Sequence, residues 1–124
     1  MYAMSTEQRN WSMMAHLAGG LSMFFLPTLG FLGPALVWLA HKDNSIIAYH
    51  ARQAMAFQLG LAVAGWVLGL LGAAFSCFLV GFGFWAIAAM LWPLGVAVPI
   101  WASIQVNNGE DWRYPFTGQM VDPR

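Results

Sequence analysis

Two histidines, His16 and His50, have the widest chemical capacity of any side chains in this 124-residue chain. Each lies in or beside a long apolar stretch, where an imidazole can ligate a b-type haem between helices, carry a proton or form a buried hydrogen bond. Their spacing is not specific for haem. A neutral, hydrogen-bonded His16 is the favoured interpretation, and haem ligation by the two histidines is the alternative that stays open.

The apolar stretches contain no carboxylate, because no charged residue occurs between Arg9 and Lys42 or between Arg52 and Glu110. A membrane-embedded acid–base enzyme or a carboxylate proton relay needs such a group. The sequence also contains no hydrolase nucleophile motif, zinc-protease motif or phosphate-binding loop. We therefore predict no enzyme activity, no catalytic or metal-binding residue and no cofactor. The zero net charge offers nucleic acid no basic surface to bind.

The composition indicates that most of the chain contacts lipid. Hydrophobic residues make up 60% of the chain and charged residues 8%, whereas soluble domains have roughly 45–50% and 25%. The pattern predicts an all-α, integral membrane four-helix bundle that forms a single domain over residues 1–124. Its helices are expected at about 11–26, 29–41, 45–74 (with an interfacial start) and 77–105, followed by an irregular cytoplasmic tail over 106–124.

Pro27 and Pro34 interrupt the first apolar stretch, so that it forms either a short helical hairpin or one kinked span. The segment 29–41 is short for a hydrocarbon core of about 30 Å, so it either crosses the membrane or is re-entrant. Four crossings put both termini and all charged clusters on one side, whereas three crossings separate the clusters. Four are simpler for insertion, and we expect a multi-pass protein of the bacterial inner membrane with both termini in the cytoplasm.

Small residues recur every four positions along the third predicted helix, as at Gly65 and Gly69, and they permit the close helix contacts of membrane bundles. The amide of Gln58 is expected to form a hydrogen bond to another helix. We predict structural or partner-contact roles for a wider set of residues, which comprises His16, Pro34, Trp38, His50, Arg52, Phe57, Gln58, Gly65, Gly69, Arg113 and Tyr114.

Three segments resemble the motifs of a widespread small bacterial membrane family of unknown function. They are His16-Leu17 with Pro27 and the run 32–39, then the run 50–58, and finally the run 107–115. The family is related to the four-helix component of the chloroplast inner-envelope protein-import translocon. The resemblance implies four membrane helices with both ends on one side and no enzyme activity. Ala56 stands where the family usually has Asn, so the hydrogen bond of that Asn is missing here.

Two functions follow from these features. The first is a non-enzymatic accessory or scaffold subunit that packs laterally on a larger membrane protein complex, with membrane lipid and other membrane subunits, identical or different, as partners. The second is a translocation or transport element, because interrupted helices often line transport sites and because the resemblance extends to an import component.

Overall fold

The computed structural model describes residues 3–76, 79–110 and 112–121, and all regular structure in these ranges is helical. The predicted all-α four-helix bundle, a short hairpin followed by two long helices, is confirmed. Cys77, near which the sequence places the second turn, lies outside the described residues. The elements are α1 (Thr6–Phe25), α2 (Leu32–Ala40), α3 (Ser45–Ala74), α4 (Leu79–Asn107) and a 3-10 turn at Gly118–Met120 in the tail.

Helix α1 begins five residues earlier than the apolar pattern predicts, because a capping box starts it. The Ser5 hydroxyl accepts a hydrogen bond from the backbone N–H of Gln8 at 3.1 Å, and the Gln8 side chain accepts one from the backbone N–H of Ser5 at 3.0 Å. This reciprocal pair satisfies two donors that a helix start otherwise leaves without partners. The polar first turn therefore extends the helix beyond its apolar part.

Helix α2 packs closely against α1 through Gly33. The Gly33 N–H donates a hydrogen bond to the Ser22 hydroxyl at 3.0 Å, and a Cβ at position 33 would collide with the Ala18 carbonyl oxygen. Residues 27–31 form the turn, so α2 starts at Leu32 and not near 29. Pro34 fits the first turn of α2, where a missing N–H costs no helical hydrogen bond.

Asn44 caps α3. Its side-chain oxygen accepts hydrogen bonds from the backbone N–H groups of Ile46 and Ile47, each at 3.2 Å. Asn is among the best residues at this position, because its oxygen replaces the missing helical acceptor. The 30-residue α3 then continues without interruption to Ala74.

Helix α4 remains one helix although it contains Pro93 and Pro99. Pro99 has no N–H to donate to the carbonyl four residues earlier, which belongs to Gly95. The side-chain amide of Gln58 on α3 donates to this carbonyl instead, at 2.9 Å. The hydrogen bond that the proline removes from α4 is thus replaced from a neighbouring helix.

The described termini lie at the same end of the bundle. α1 runs antiparallel to α4, since the Ser103 hydroxyl lies 3.1 Å from the Met13 carbonyl oxygen and the Trp92 indole lies 3.5 Å from the Phe24 carbonyl oxygen. The loop before α3 joins this end, because the rings of Trp11 and His41 are 4.2 Å apart. We call it the charged end, since Glu7, Arg9, Lys42, Asp43 and Glu110 lie at or near it.

The two helical hairpins end at different levels along the bundle. Pro27 and Thr28, in the α1–α2 turn, line a cavity with Gly65 of α3 and Ala88 of α4. From Gly65 to the end of α3, and from Ala88 back to the start of α4, the chain continues for nine residues, or about 14 Å. The part between the charged end and this level therefore contains four helices, and we call it the charged half. The rest, which begins beyond Gly65 on α3 and precedes Ala88 on α4, contains only these two helices, and we call it the far half.

The far half is apolar and uncovered. Leu70 is 72% exposed, and the same part of the two helices also exposes Val67, Val80, Phe82 and Ile87. α3, and α4 from Val80, are each long and apolar enough to cross a membrane.

Candidate functional site

A hydrogen-bonded chain of three buried side chains lies near the charged end. Nδ1 of His16 on α1 is 2.8 Å from the phenolic oxygen of Tyr114 in the tail. Nε2 of the same ring is 3.2 Å from Nδ1 of His50 on α3. All three side chains are almost completely buried. Residues from three separate parts of the chain therefore meet at one point.

One assignment of protons uses every contact in this chain. Burial raises the pKa of Tyr114 well above its ordinary value, so the phenol keeps its hydrogen. The phenol then donates to Nδ1 of His16, which leaves the hydrogen of that ring on Nε2, from where it donates to Nδ1 of His50. The three groups are neutral in this arrangement, which suits an apolar interior.

A second set of polar contacts fixes the tail on α3. The Gln53 amide nitrogen donates to the Tyr49 hydroxyl and to the Gly118 carbonyl oxygen, each at 3.0 Å, and its oxygen accepts from the backbone N–H of Tyr114 at 3.4 Å. The guanidinium of Arg113 donates to the Tyr49 hydroxyl at 3.2 Å. We call His16, Tyr49, His50, Gln53, Arg113 and Tyr114 together the polar cluster.

Aromatic packing closes the polar cluster on its apolar side. The ring of Phe57 on α3 stacks on that of Tyr114, with centroids 4.4 Å apart and planes 14° apart. Trp112 meets Tyr114 edge-on at 5.6 Å. Because Tyr114 is held by both its hydroxyl and its ring, the tail is anchored to the helices and does not extend freely.

The geometry of the polar cluster suits a structural role better than haem ligation. The rings of His16 and His50 are in direct hydrogen-bonding contact, and a porphyrin would need its plane and iron between two such nitrogens. The Nε2 to Nδ1 distance of 3.2 Å leaves no room for it. The described residues also contain no group of three or more His, Cys, Asp or Glu side chains arranged to hold a metal ion.

The structure places the remaining predicted residues at several separate positions. Pro34 is buried and lies against Gly19, because a Cβ at position 19 would be 3.2 Å from the Pro34 ring. Trp38 packs on the cluster around Ala15 and Ile47, and the Lys42 ammonium lies 5.4 Å from its ring centre. Nε of Arg52 is buried without a hydrogen-bond partner among the described residues.

The two predicted helix-contact glycines differ in their surroundings. A Cβ at Gly65 would make an ordinary contact with Leu91 of α4, at 3.9 Å, whereas a Cβ at Gly69 would meet nothing within 4 Å. Gly83 on α4 is equally open, since a Cβ there would also meet nothing within 4 Å. Trp85 fills the interface instead, because its indole N–H donates to the Gly69 carbonyl oxygen at 3.3 Å.

Two residues of the polar cluster, Tyr49 and Gln53, are absent from the predicted set. A signal for them exists in the sequence, since they are four residues apart and therefore lie on one face of a helix. The contact of Gln53 with Gly118 spans 65 residues. No local sequence pattern predicts a hydrogen bond between residues so far apart in the chain.

Comparison with protein families gives one clear match. The sequence model of the magnetosome magnetite crystal formation protein family matches residues 7–121, and the chain therefore belongs to that family. Together with the two long apolar helices, this makes it a membrane-associated protein of a small bacterial family. Neither the curated proteins nor the solved structures contain a match.

Proposed function

We propose that this member of the magnetosome magnetite crystal formation family is a non-enzymatic accessory subunit. It packs laterally, through membrane helices, on a larger membrane protein assembly that takes part in magnetite formation. The observation that carries the proposal is a contrast between the polar groups, which bond within the chain, and the exposed apolar surface. The polar cluster and Gln58 are engaged within the chain, while the surface of the far half is apolar and contains open small residues.

The proposed placement in the membrane follows from the same contrast between the charged end and the apolar far half. α3 and α4 cross the bilayer, and the α1–α2 hairpin enters it from the charged end. The charged end faces the cytoplasm with both termini, in a bacterial inner membrane or a compartment with the same orientation. This orientation needs no charged loop to cross the bilayer, which is the simplest course of insertion.

Gly69 is the best position at which to test lateral packing. Close helix contacts in membranes need small residues, because a glycine lets two backbones approach. Since a Cβ at Gly69 meets nothing within 4 Å in the chain itself, the side chain of Gly69→Leu begins in open space, where we expect it to block a neighbouring helix. We expect the tagged wild-type chain, extracted from native membranes in mild detergent, to retain a co-purifying membrane protein that the variant loses.

Ala97→Leu is the matched control, because it adds similar bulk at an exposed position of α4 in the charged half, outside the proposed contact surface. It should keep the partner. A wild-type chain that gives a clean monomer by native mass measurement at every detergent strength would contradict the accessory-subunit proposal.

A second candidate is a translocation or transport element, consistent with the proposed relation to the chloroplast import component. The observation that favours it is the α1–α2 hairpin, which ends part-way along α3 above a cavity of about 150 Å³. Interrupted helices of this kind line sites in many transporters. Liposomes containing the chain test it, since equal passage of ions, small solutes and unfolded polypeptide in loaded and empty vesicles would exclude this function.

A further inference from the structure

The far half of the molecule is narrower than the charged half, and the shorter elements all pack in the charged half. α1 and the tail pack against the first part of α3 and the last part of α4, and α2 packs against α1 and α3. With a helix diameter of about 10 Å, two additional helices add roughly 160 Å² of cross-section to the charged half. The chain is therefore tapered along the direction in which α3 and α4 cross a membrane.

The tail increases this taper. Pro115 and Phe116 line a groove with Phe57 and Leu61 of α3 and Leu94 of α4, so the tail descends along the helices to the level at which they are apolar. Phe116 is 88% exposed and Met120 is 81% exposed. Apolar side chains presented at this level insert among lipid chains of the same leaflet that holds α1 and α2.

The backbone conformation at Phe116 supports a role for its exposed side chain in a contact outside the chain. Its φ is 65°, in the left-handed region that glycine occupies at little cost and a bulky residue rarely does. Strain of this kind persists where another benefit offsets it. A phenyl ring that is 88% exposed gains little folding stability from the chain, but it gains burial in lipid.

We infer that the chain binds preferentially to strongly curved bilayers, with its charged end in the convex leaflet. The ligand is the lipid bilayer itself. In a convex leaflet the headgroups are spread apart, so a molecule that is wide at that surface and narrow in the opposite leaflet fits with less distortion. In a bilayer without the proposed partner, lipid is the occupant we assign to the step beneath the α1–α2 turn, because the side chains that face it on α3 and α4 are apolar.

Single-vesicle sorting tests this inference without any partner protein, so it is independent of the test of lateral packing. The full chain, labelled at its tail, is reconstituted into phosphatidylcholine–phosphatidylglycerol vesicles with diameters from about 50 to about 400 nm, and its density per membrane area is measured. We expect roughly threefold or greater enrichment on the smallest vesicles, with protease-accessible termini outside. An equal density at all diameters, or termini inside the small vesicles, would overturn the inference.

Two variants make the test specific. Phe116→Gly removes apolar volume from the wide half at a backbone conformation that glycine adopts freely, so it folds and should reduce the enrichment. Leu70→Ala removes exposed apolar volume from the narrow half and should leave the enrichment at or above the wild-type value. If Phe116→Gly is enriched on the smallest vesicles as strongly as the wild type, the tail does not contribute to the preference for curved bilayers. If the chain self-associates and shows no enrichment on small vesicles, the step is occupied by a second copy of the chain and not by lipid.

Discussion

At the scale of single residues, Tyr114 connects the tail to the bundle. It forms a hydrogen bond with His16 through its hydroxyl and stacks on Phe57 through its ring, so it joins a polar and an apolar contact in one side chain. Hydrogen bonds in an apolar interior are costly to remove, since the remaining partner loses water and gains nothing. The polar cluster is therefore expected to stabilise one position of the tail.

Removal of the Tyr114 hydroxyl should destabilise the fold measurably. Tyr114→Phe keeps the ring and its stacking but leaves Nδ1 of His16 without its hydrogen-bond partner, at a cost of about 1–3 kcal/mol in the free energy of unfolding. Denaturant unfolding in detergent, followed by circular dichroism, measures this cost. Phe57→Leu is the complementary variant, since it weakens the stacking and keeps the hydrogen bond. An unchanged unfolding midpoint in Tyr114→Phe would show that the hydroxyl contact is not formed.

The sequence identifies several members of the polar cluster but not their association. His16, His50, Arg113 and Tyr114 are predictable one by one, because polar groups in apolar or interfacial segments rarely lack a role. Their meeting depends on contacts between α1, α3 and the tail that span up to 98 residues. The replacement of a proline-disrupted hydrogen bond by Gln58 is likewise a property of two packed helices.

At the scale of elements, the α1–α2 hairpin depends on an approach so close that only glycine fits at position 33. Gly33→Ala would place a methyl group against the Ala18 carbonyl and the Ser22 hydroxyl, forcing the helices apart. We expect a loss of about 1–3 kcal/mol in unfolding free energy, typical of overpacking, measured by thermal unfolding in detergent.

Gly83→Ala provides the control for this variant. Position 83 is also helical, but a Cβ there meets nothing within 4 Å. Since alanine is favoured over glycine inside a helix by about 0.5–1 kcal/mol, this variant should be neutral or slightly more stable. Equal losses in both variants would contradict the close packing of α1 and α2.

The helices themselves were largely predictable, and the exceptions have local causes. Asn44 and the uninterrupted apolar run after it are enough to start α3 and to carry it to Ala74. The start of α1 is missed by a search for apolar periodicity, because its first turn is polar and depends on the capping pair Ser5 and Gln8. The start of α2 depends on Gly33 and Ser22, which meet only once the hairpin is folded.

At the scale of the whole molecule, the central feature is the difference in depth between the two hairpins. Charge spacing alone suggests four crossings with both turns on the far side. In the structure the turn at Pro27 stops about nine helical residues before the turn at Ser76. A hairpin that ends about two-thirds of the way along α3 underlies both the proposed membrane placement and the preference for curved bilayers.

The depth of the two turns in a membrane tests this account most directly. Spin labels are attached at Thr28→Cys or at Ser76→Cys, in a background where Cys77 is replaced by serine, and the full chain is reconstituted in phosphatidylcholine–phosphatidylglycerol vesicles. Collisional relaxation by oxygen and by a water-soluble nickel complex then reports each depth. We expect the label at 28 within the hydrocarbon and the label at 76 near the far surface, about 14 Å or more apart along the membrane normal. Labels at equal depth, both exposed to the aqueous complex, would contradict the account.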